Sequence, residues 1–183
     1  MPEIATGKGD YPELATLLKQ YRAGDAPVFF LFGGASLGPS MLSSFDYGSH
    51  IIDILNTLEP DVMAVANREF SYFEDELSLR AYEAAFPVVA SNLWDPVTEG
   101  NLDGLARYVV LQQGNFRIGV ISVVDPVIAE QYALERVKIT EPVNAIREQA
   151  SILRLQGVDA VALLYSSTLP ELPQLLGSGV IDL

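Results

Sequence analysis

Three short runs of the chain, residues 27–32, 62–66 and 159–165, are apolar without the polar alternation of a half-exposed strand. Such runs read as strands buried on both faces of an α/β sheet. Residues 86–92 (FPVVASN) give a further strand, and residues 108–111 and 116–124 flank Gln112-Gln113-Gly114-Asn115, which reads as a hairpin turn. Residues 137–140 form a short strand, and Val180 to Leu183 begins another.

Between these runs the spacing changes to that of helices. Asp10 caps a helix with Pro12 in its first turn and Glu13 at the capping-box position; Leu14, Leu17, Leu18 and Tyr21 form one apolar face, and Gly24 ends it. Ser49 caps a second helix with Ile51, Ile52, Ile54, Leu55 and Leu58 inward and Pro60 as its stop. Ser71, with Glu74 three residues on, predicts a capping box for a third. Pro142 starts a helix running through Gln156 with Gly157 as its stop, and residues 169–176 form a short one. Residues 1–9 read as a tail and residues 94–104 as a polar loop. Buried strands alternating with amphipathic helices predict a layered α/β domain.

The totals narrow the function. A chain of 183 residues with 49% hydrophobic content has the size and apolar content of one well-packed domain spanning residues 1–183. Its formal charge of −13 argues against nucleic acid and anionic membrane surfaces as partners, which need clustered Lys and Arg. No apolar run approaches the ~20 residues of a membrane span, and no basic-then-apolar leader follows Met1. The absence of cysteine removes disulfides, thiolate ligands and a cysteine nucleophile. With a single histidine, His50, there is no Ser-His-Asp set, and a lone histidine near a helix start reads as structural. The segment 33–38 lacks the Lys-Ser/Thr of a P-loop.

Ligands of open α/β sheets bind at the carboxyl ends of strands. Asn67, Arg68 and Glu69 stand there after the 62–66 run, Gly33 and Gly34 after 27–32, and Tyr165 and Ser166 at the end of 159–165; Asp125 follows the 116–124 strand. Arg68 has two readings. Its guanidinium holds an anion, such as a nucleotide phosphate, beside Asn67 and backbone N–H groups of the Gly33-Gly34 turn, or it pairs with Glu69 or another carboxylate of this acidic chain.

Ala66-Asn67-Arg68-Glu69-Phe70 resembles the Gly-Asn-His-Glu-Phe motif of the calcineurin-like metallophosphoesterases, in the branch containing the bacterial 5′-nucleotidases. Ala35 to Ser40, following Gly33-Gly34, resembles that family's Gly-Asp-x-x-x-Gly-Ser loop, residues 86–92 its Phe-Pro-Val-x-x-x-Asn segment, and residues 117–122 its Val-Gly-Val-Ile-Gly strand. The resemblance runs in order from Tyr11 onward. It implies a layered α/β/β/α sandwich that here lacks the first strand and the C-terminal metal loop, a segment of a longer chain, and a periplasmic or extracytoplasmic location. It also implies where a divalent metal pair (Mn, Zn or Mg) and a nucleotidase-type hydrolysis would sit. By the same resemblance, Asn67 alone survives of the expected ligands: Gly34 replaces the bridging Asp, Arg68 a His, and Ser166, after Tyr165, another His. The expectation is therefore a catalytically degenerate domain with no cofactor. It would be a regulatory or sensory module for a small anionic ligand or a protein partner, with Asn67, Arg68, Gly33, Gly34, Tyr165 and Ser166 as candidate ligand-binding residues. The alternatives are a phosphoester hydrolase completed by residues outside the segment and a protein-association scaffold.

Overall fold

A computed structural model describes residues 11–183 of the chain. The tail expected over residues 1–9, the Asp10 cap and any strand before it lie outside the described residues. The first helix, α1 (Tyr11–Arg22), is followed by β1 (Leu31–Phe32), α2 (Ser43–Asp46), α3 (Ser49–Leu58) and β2 (Val62–Ala64). One 3₁₀ turn (Asn67–Phe70) leads into α4 (Phe73–Glu83), β3 (Val88–Val89), β4 (Leu93–Trp94) and β5 (Leu105–Ala106). Then come β6 (Tyr108–Gln113), β7 (Phe116–Ser122), α5 (Val127–Gln131), β8 (Lys138–Ile139), α6 (Pro142–Leu155), β9 (Ala160–Leu164) and α7 (Leu172–Gly177).

Strands β1, β2, β3 and β5 form one wholly parallel sheet in that order. The second sheet has the order β6-β7-β9, with β6 and β7 antiparallel and β7 and β9 parallel. A two-stranded ribbon joins β4 to β8. Three hydrophobic clusters show how these stack. Met63, Val65 and Val88 pack with Ile51, Ile52 and Leu55 of α3 and Leu77 of α4. Their sheet neighbours Val62 and Val89 pack instead with Ile118, Val120 and Ala162 of the other sheet. Ile121 and Val161 turn the opposite way, onto Ile146 and Leu153 of α6. Side chains alternate along each strand, yet both faces are covered, so both face inward sets are apolar and no polar alternation appears. The result is the expected α/β/β/α layering. At Gly119 a Cβ would lie 2.7 Å from the Leu153 methyl carbons, so α6 sits closer to β7 than any larger residue would let it.

Several local expectations are corrected. The run 27–32 makes ladder pairs only over β1, because the Phe30 N–H donates to the Asp61 carboxylate (2.7 Å) and the Val28 N–H to the Gln113 side chain (2.7 Å). The Ser71–Glu74 capping box does not form. Ser71 closes the 3₁₀ turn, and the buried Glu74 carboxylate accepts the N–H groups of Arg136 and Val137, both at 3.2 Å. Helix α3 is capped by Asp46 rather than Ser49: that carboxylate accepts the N–H of Gly48 at 3.0 Å and of His50 at 3.1 Å. Its Oδ2 also lies 2.7 Å from His50 Nδ1, which gives the single histidine the structural role read for it. The loop expected over residues 94–104 includes part of β4 and a bridge between Asp95 and Gly100. Residues past Val180 are not a full strand, although Asp182 and Leu183 N–H donate to Val161 and Leu183 accepts from Leu163, alongside β9. No helix among the described residues is long and apolar enough to cross a membrane.

Candidate functional site

The carboxyl ends of β1 and β2 meet through one side chain, Glu69, which the sequence places at the ligand-binding edge and offers as a partner for Arg68. Glu69 is 2% exposed. Its Oε2 accepts the Ala35 N–H at 2.8 Å and the Ala66 N–H at 2.9 Å. Its Oε1 accepts the Ser36 N–H at 2.8 Å, and the Leu37 N–H and Ser36 hydroxyl at 3.4 Å. A run of N–H groups after a strand makes an anion-binding concavity. Here the anion is the chain's own carboxylate. The nest expected to help bind an external anion at the Gly33-Gly34 turn is therefore already filled. The pairing of Arg68 with Glu69 is corrected as well, because a carboxylate holding four backbone donors points away from that role. An acid three residues past the residue whose N–H it accepts is half of a capping box, and that spacing from Ala66 was the available signal.

Gly34 explains why the turn takes this path. Its φ is +74°, and a Cβ there would overlap the Ala64 carbonyl oxygen and lie 3.0 Å from Glu69 Oε2 and 3.2 Å from the Ala66 nitrogen. The reading of Gly34 as a conformational requirement agrees with this geometry. Gly33 has open space around it. Across the turn, Asn67 Oδ1 accepts the Arg68 N–H at 2.9 Å, and Ser71 Oγ donates to the Arg68 carbonyl at 2.8 Å. The Arg68 guanidinium, half-buried, is in none of the ion pairs found among the described residues.

Tyr165 and Ser166 stand at the end of β9 and form a separate group with Asp125, at the end of β7. Ser167 Oγ donates to Asp125 Oδ2 at 2.8 Å, and the Tyr165 hydroxyl points to the Thr168 carbonyl at 3.5 Å. Burial pushes the Tyr165 hydroxyl above its ordinary pKa, and the Asp125 charge adds to this. Ser166 is exposed. Among the described residues no hydrogen bond links this group to Asn67 or Arg68.

The two sheets are joined at β3. Asn92, 1% exposed, donates through Nδ2 to the Val124 and Thr140 carbonyls (2.8 Å each), and its Oδ1 accepts the Val124 N–H at 2.8 Å. Ser91 N–H donates to the Ser122 carbonyl at 2.6 Å, and Ser91 Oγ accepts the Ser122 N–H at 3.1 Å. Neither role was legible in the sequence, although the segment itself was. Tyr11, at the start of α1, feels the same buried acid as the β1 turn: burial, with the Glu69 charge adding, pushes its hydroxyl up to about 12.

The donors at this edge can be tested against the divalent pair that the resemblance implies. Gly34 offers no ligand atom, Asn67 Oδ1 already accepts a hydrogen bond, and a guanidinium stands next in the chain. Among the described residues no group of three or more His, Cys, Asp or Glu is placed to hold a metal. These residues do not fit a two-metal centre, which draws on several carboxylate and imidazole donors.

Solved structures supply the comparison. The chain is similar to the 5′-nucleotidase precursor from Thermus thermophilus (TM-score 0.78, 21% identity), over 90% of this chain and 34% of that one. It is similar to the calcineurin-like phosphoesterase YfkN from Bacillus subtilis (TM-score 0.73, 22% identity, 86% of this chain and 54% of that one). It is also similar to the sulfate thiohydrolase SoxB from Thermus thermophilus (TM-score 0.76, 18% identity, 87% and 30%). The chain thus spans between about a third and about half the length of these structures. No family model matches the sequence, and no curated protein matches it.

Proposed function

On a chain with the metallophosphoesterase fold found in 5′-nucleotidases, we propose a binding module with a regulatory or sensory role, in place of a metal-dependent phosphoesterase. A fold carries no activity by itself; the side chains at its strand ends do. The observation that supports this reading is the β1 turn. At the position where the resemblance expects a bridging carboxylate stands Gly34, in a left-handed conformation with its Cβ direction closed by Ala64. The N–H groups after it are held by Glu69. Any anion held at this edge would rest on the Arg68 guanidinium and the Asn67 amide, without help from the turn. Guanidinium geometry suits a phosphate or carboxylate group.

The test is hydrolysis of nucleotides and simple phosphomonoesters by the purified protein in Mn²⁺, Zn²⁺ or Mg²⁺. The expected rate equals a protein-free blank, and Gly34→Asp leaves it there. Sustained turnover, or stoichiometric metal retained after purification, would replace this reading with that of a hydrolase. Nucleotides that bind at Arg68 would raise the melting temperature of the wild type and not of Arg68→Gln.

A further inference from the structure

A second site lies away from the Asn67 edge, and it rests on none of the residues used in the reading above. Between the β4–β8 ribbon, the β5–β6 junction and the first turns of α6 there is a cleft of ≈ 420 Å³. That volume suits a small molecule. Its walls include Trp94, Arg107, Thr140, Asn144 and Glu148.

Arg107 is half-buried, and its guanidinium carbon sits 6.0 Å from the centroid of the Trp94 ring. A guanidinium held over an aromatic face keeps its in-plane N–H donors available for a planar acceptor. Among the described residues no carboxylate takes them. Although the chain has 24 acidic residues against 11 Lys and Arg, none of the ion pairs among the described residues includes Arg107. Glu148, on the α6 wall of the same cleft, is exposed and likewise outside every such pair. The other acid there, Glu141, caps α6 by accepting the N–H groups of Val143 (3.1 Å) and Asn144 (2.8 Å). A cation and an anion therefore line one small cleft without pairing with each other.

We propose that this cleft binds a small zwitterion of the α-amino acid class. Its carboxylate would pair with Arg107 and its ammonium group with Glu148, leaving its side chain toward Trp94 and the buried Leu93. A simple anion would meet the charges of Glu148 and Glu141, and a simple cation would meet Arg107. Only a ligand carrying both charges satisfies both walls.

The test is a thermal-shift and calorimetric screen of the full chain against the free α-amino acids, their N-acetyl forms and their amides at matched ionic strength. At least one free amino acid should raise the melting temperature saturably, and its N-acetyl and amide forms should each bind at least tenfold more weakly. Arg107→Gln and Glu148→Lys, the latter at an exposed position, should each weaken binding at least tenfold, and the second keeps the experiment decisive if the first unfolds. No shift with any free amino acid up to about 10 mM would overturn the proposal. Equal binding of the N-acetyl form would also overturn it, showing an anion site instead. Because the phosphoester assay does not involve these residues, its outcome is independent of this one.

Discussion

Glu69 and Asn92 stand past neighbouring parallel strands of one sheet, β2 and β3, and both are buried, with side-chain hydrogen bonds that go to backbone groups except for one from the Ser36 hydroxyl to Glu69. They do different work because their atoms differ. A carboxylate only accepts, so Glu69 gathers N–H groups from the loop after β1 and from Ala66, and it seals that strand end from within. An amide donates and accepts, so Asn92 takes two carbonyls and one N–H, and it ties the parallel sheet to β7 and to the residue after β8. The lesson is that the same topological position can close a site or join two layers, and the side-chain type decides which.

Removing the acceptor tests the sealed end most severely. Glu69→Ala leaves four backbone donors without a partner, three of them on buried residues. At about 1–3 kcal/mol for each such group, and with partial relaxation, it should cost roughly 3–5 kcal/mol in urea unfolding. A loss under about 1 kcal/mol would mean that water replaces the carboxylate and the end is open. Gly34→Ala attacks the same loop through the backbone. A side chain at φ +74°, against the Ala64 carbonyl, should cost roughly 2–4 kcal/mol. An unchanged midpoint would show that the turn can re-form with room for a ligand-bearing residue.

The joined end should be somewhat less costly to break. Asn92→Ala removes three hydrogen bonds and should cost roughly 2–3 kcal/mol. Asn92→Asp should be worse than Ala, since it places a charge against the Val124 and Thr140 carbonyls. If Asp were tolerated better, the donor role of this amide would be wrong.

The smallest effect belongs to a contact outside both ends. Asp95 is fully buried and bonded to Arg136, whose guanidinium holds its carboxyl below the usual carboxylate range. A folded-state pKa below the unfolded value gives stability that is present above the unfolded value near 4 and is lost as pH falls below it. Melting temperature should therefore drop from pH 5 toward pH 2, and Arg136→Gln should flatten that drop. An equally steep acid profile in the variant would assign the sensitivity to other carboxylates.

How much of this was legible differs residue by residue. The apolar runs at 62–66 and 159–165 announced β2 and β9, and Pro142 to Gln156 announced α6, because burial on both faces or on one stripe leaves a period in the sequence. Gly34 was read correctly as a turn residue. The short helices α2 and α5 were missed, since four or five residues carry no period. Ser71 and Glu74 had the spacing of a capping box, but Glu74 found better donors at Arg136 and Val137, far away in the chain. The pairing of Arg107 with Trp94 left no trace in spacing at all.

The amino-acid order by itself determined the long helices and the strands buried on both faces, and that one strand end lacks the carboxylate that the resemblance leads one to expect there. Only the tertiary structure decided where each buried polar group points. Hydrophobic burial is written locally, as a repeat along the chain. A hydrogen-bond partner is chosen among groups that meet only after folding, so Glu69 could be known as buried chemistry's answer to the loop after β1 only once that loop had a place.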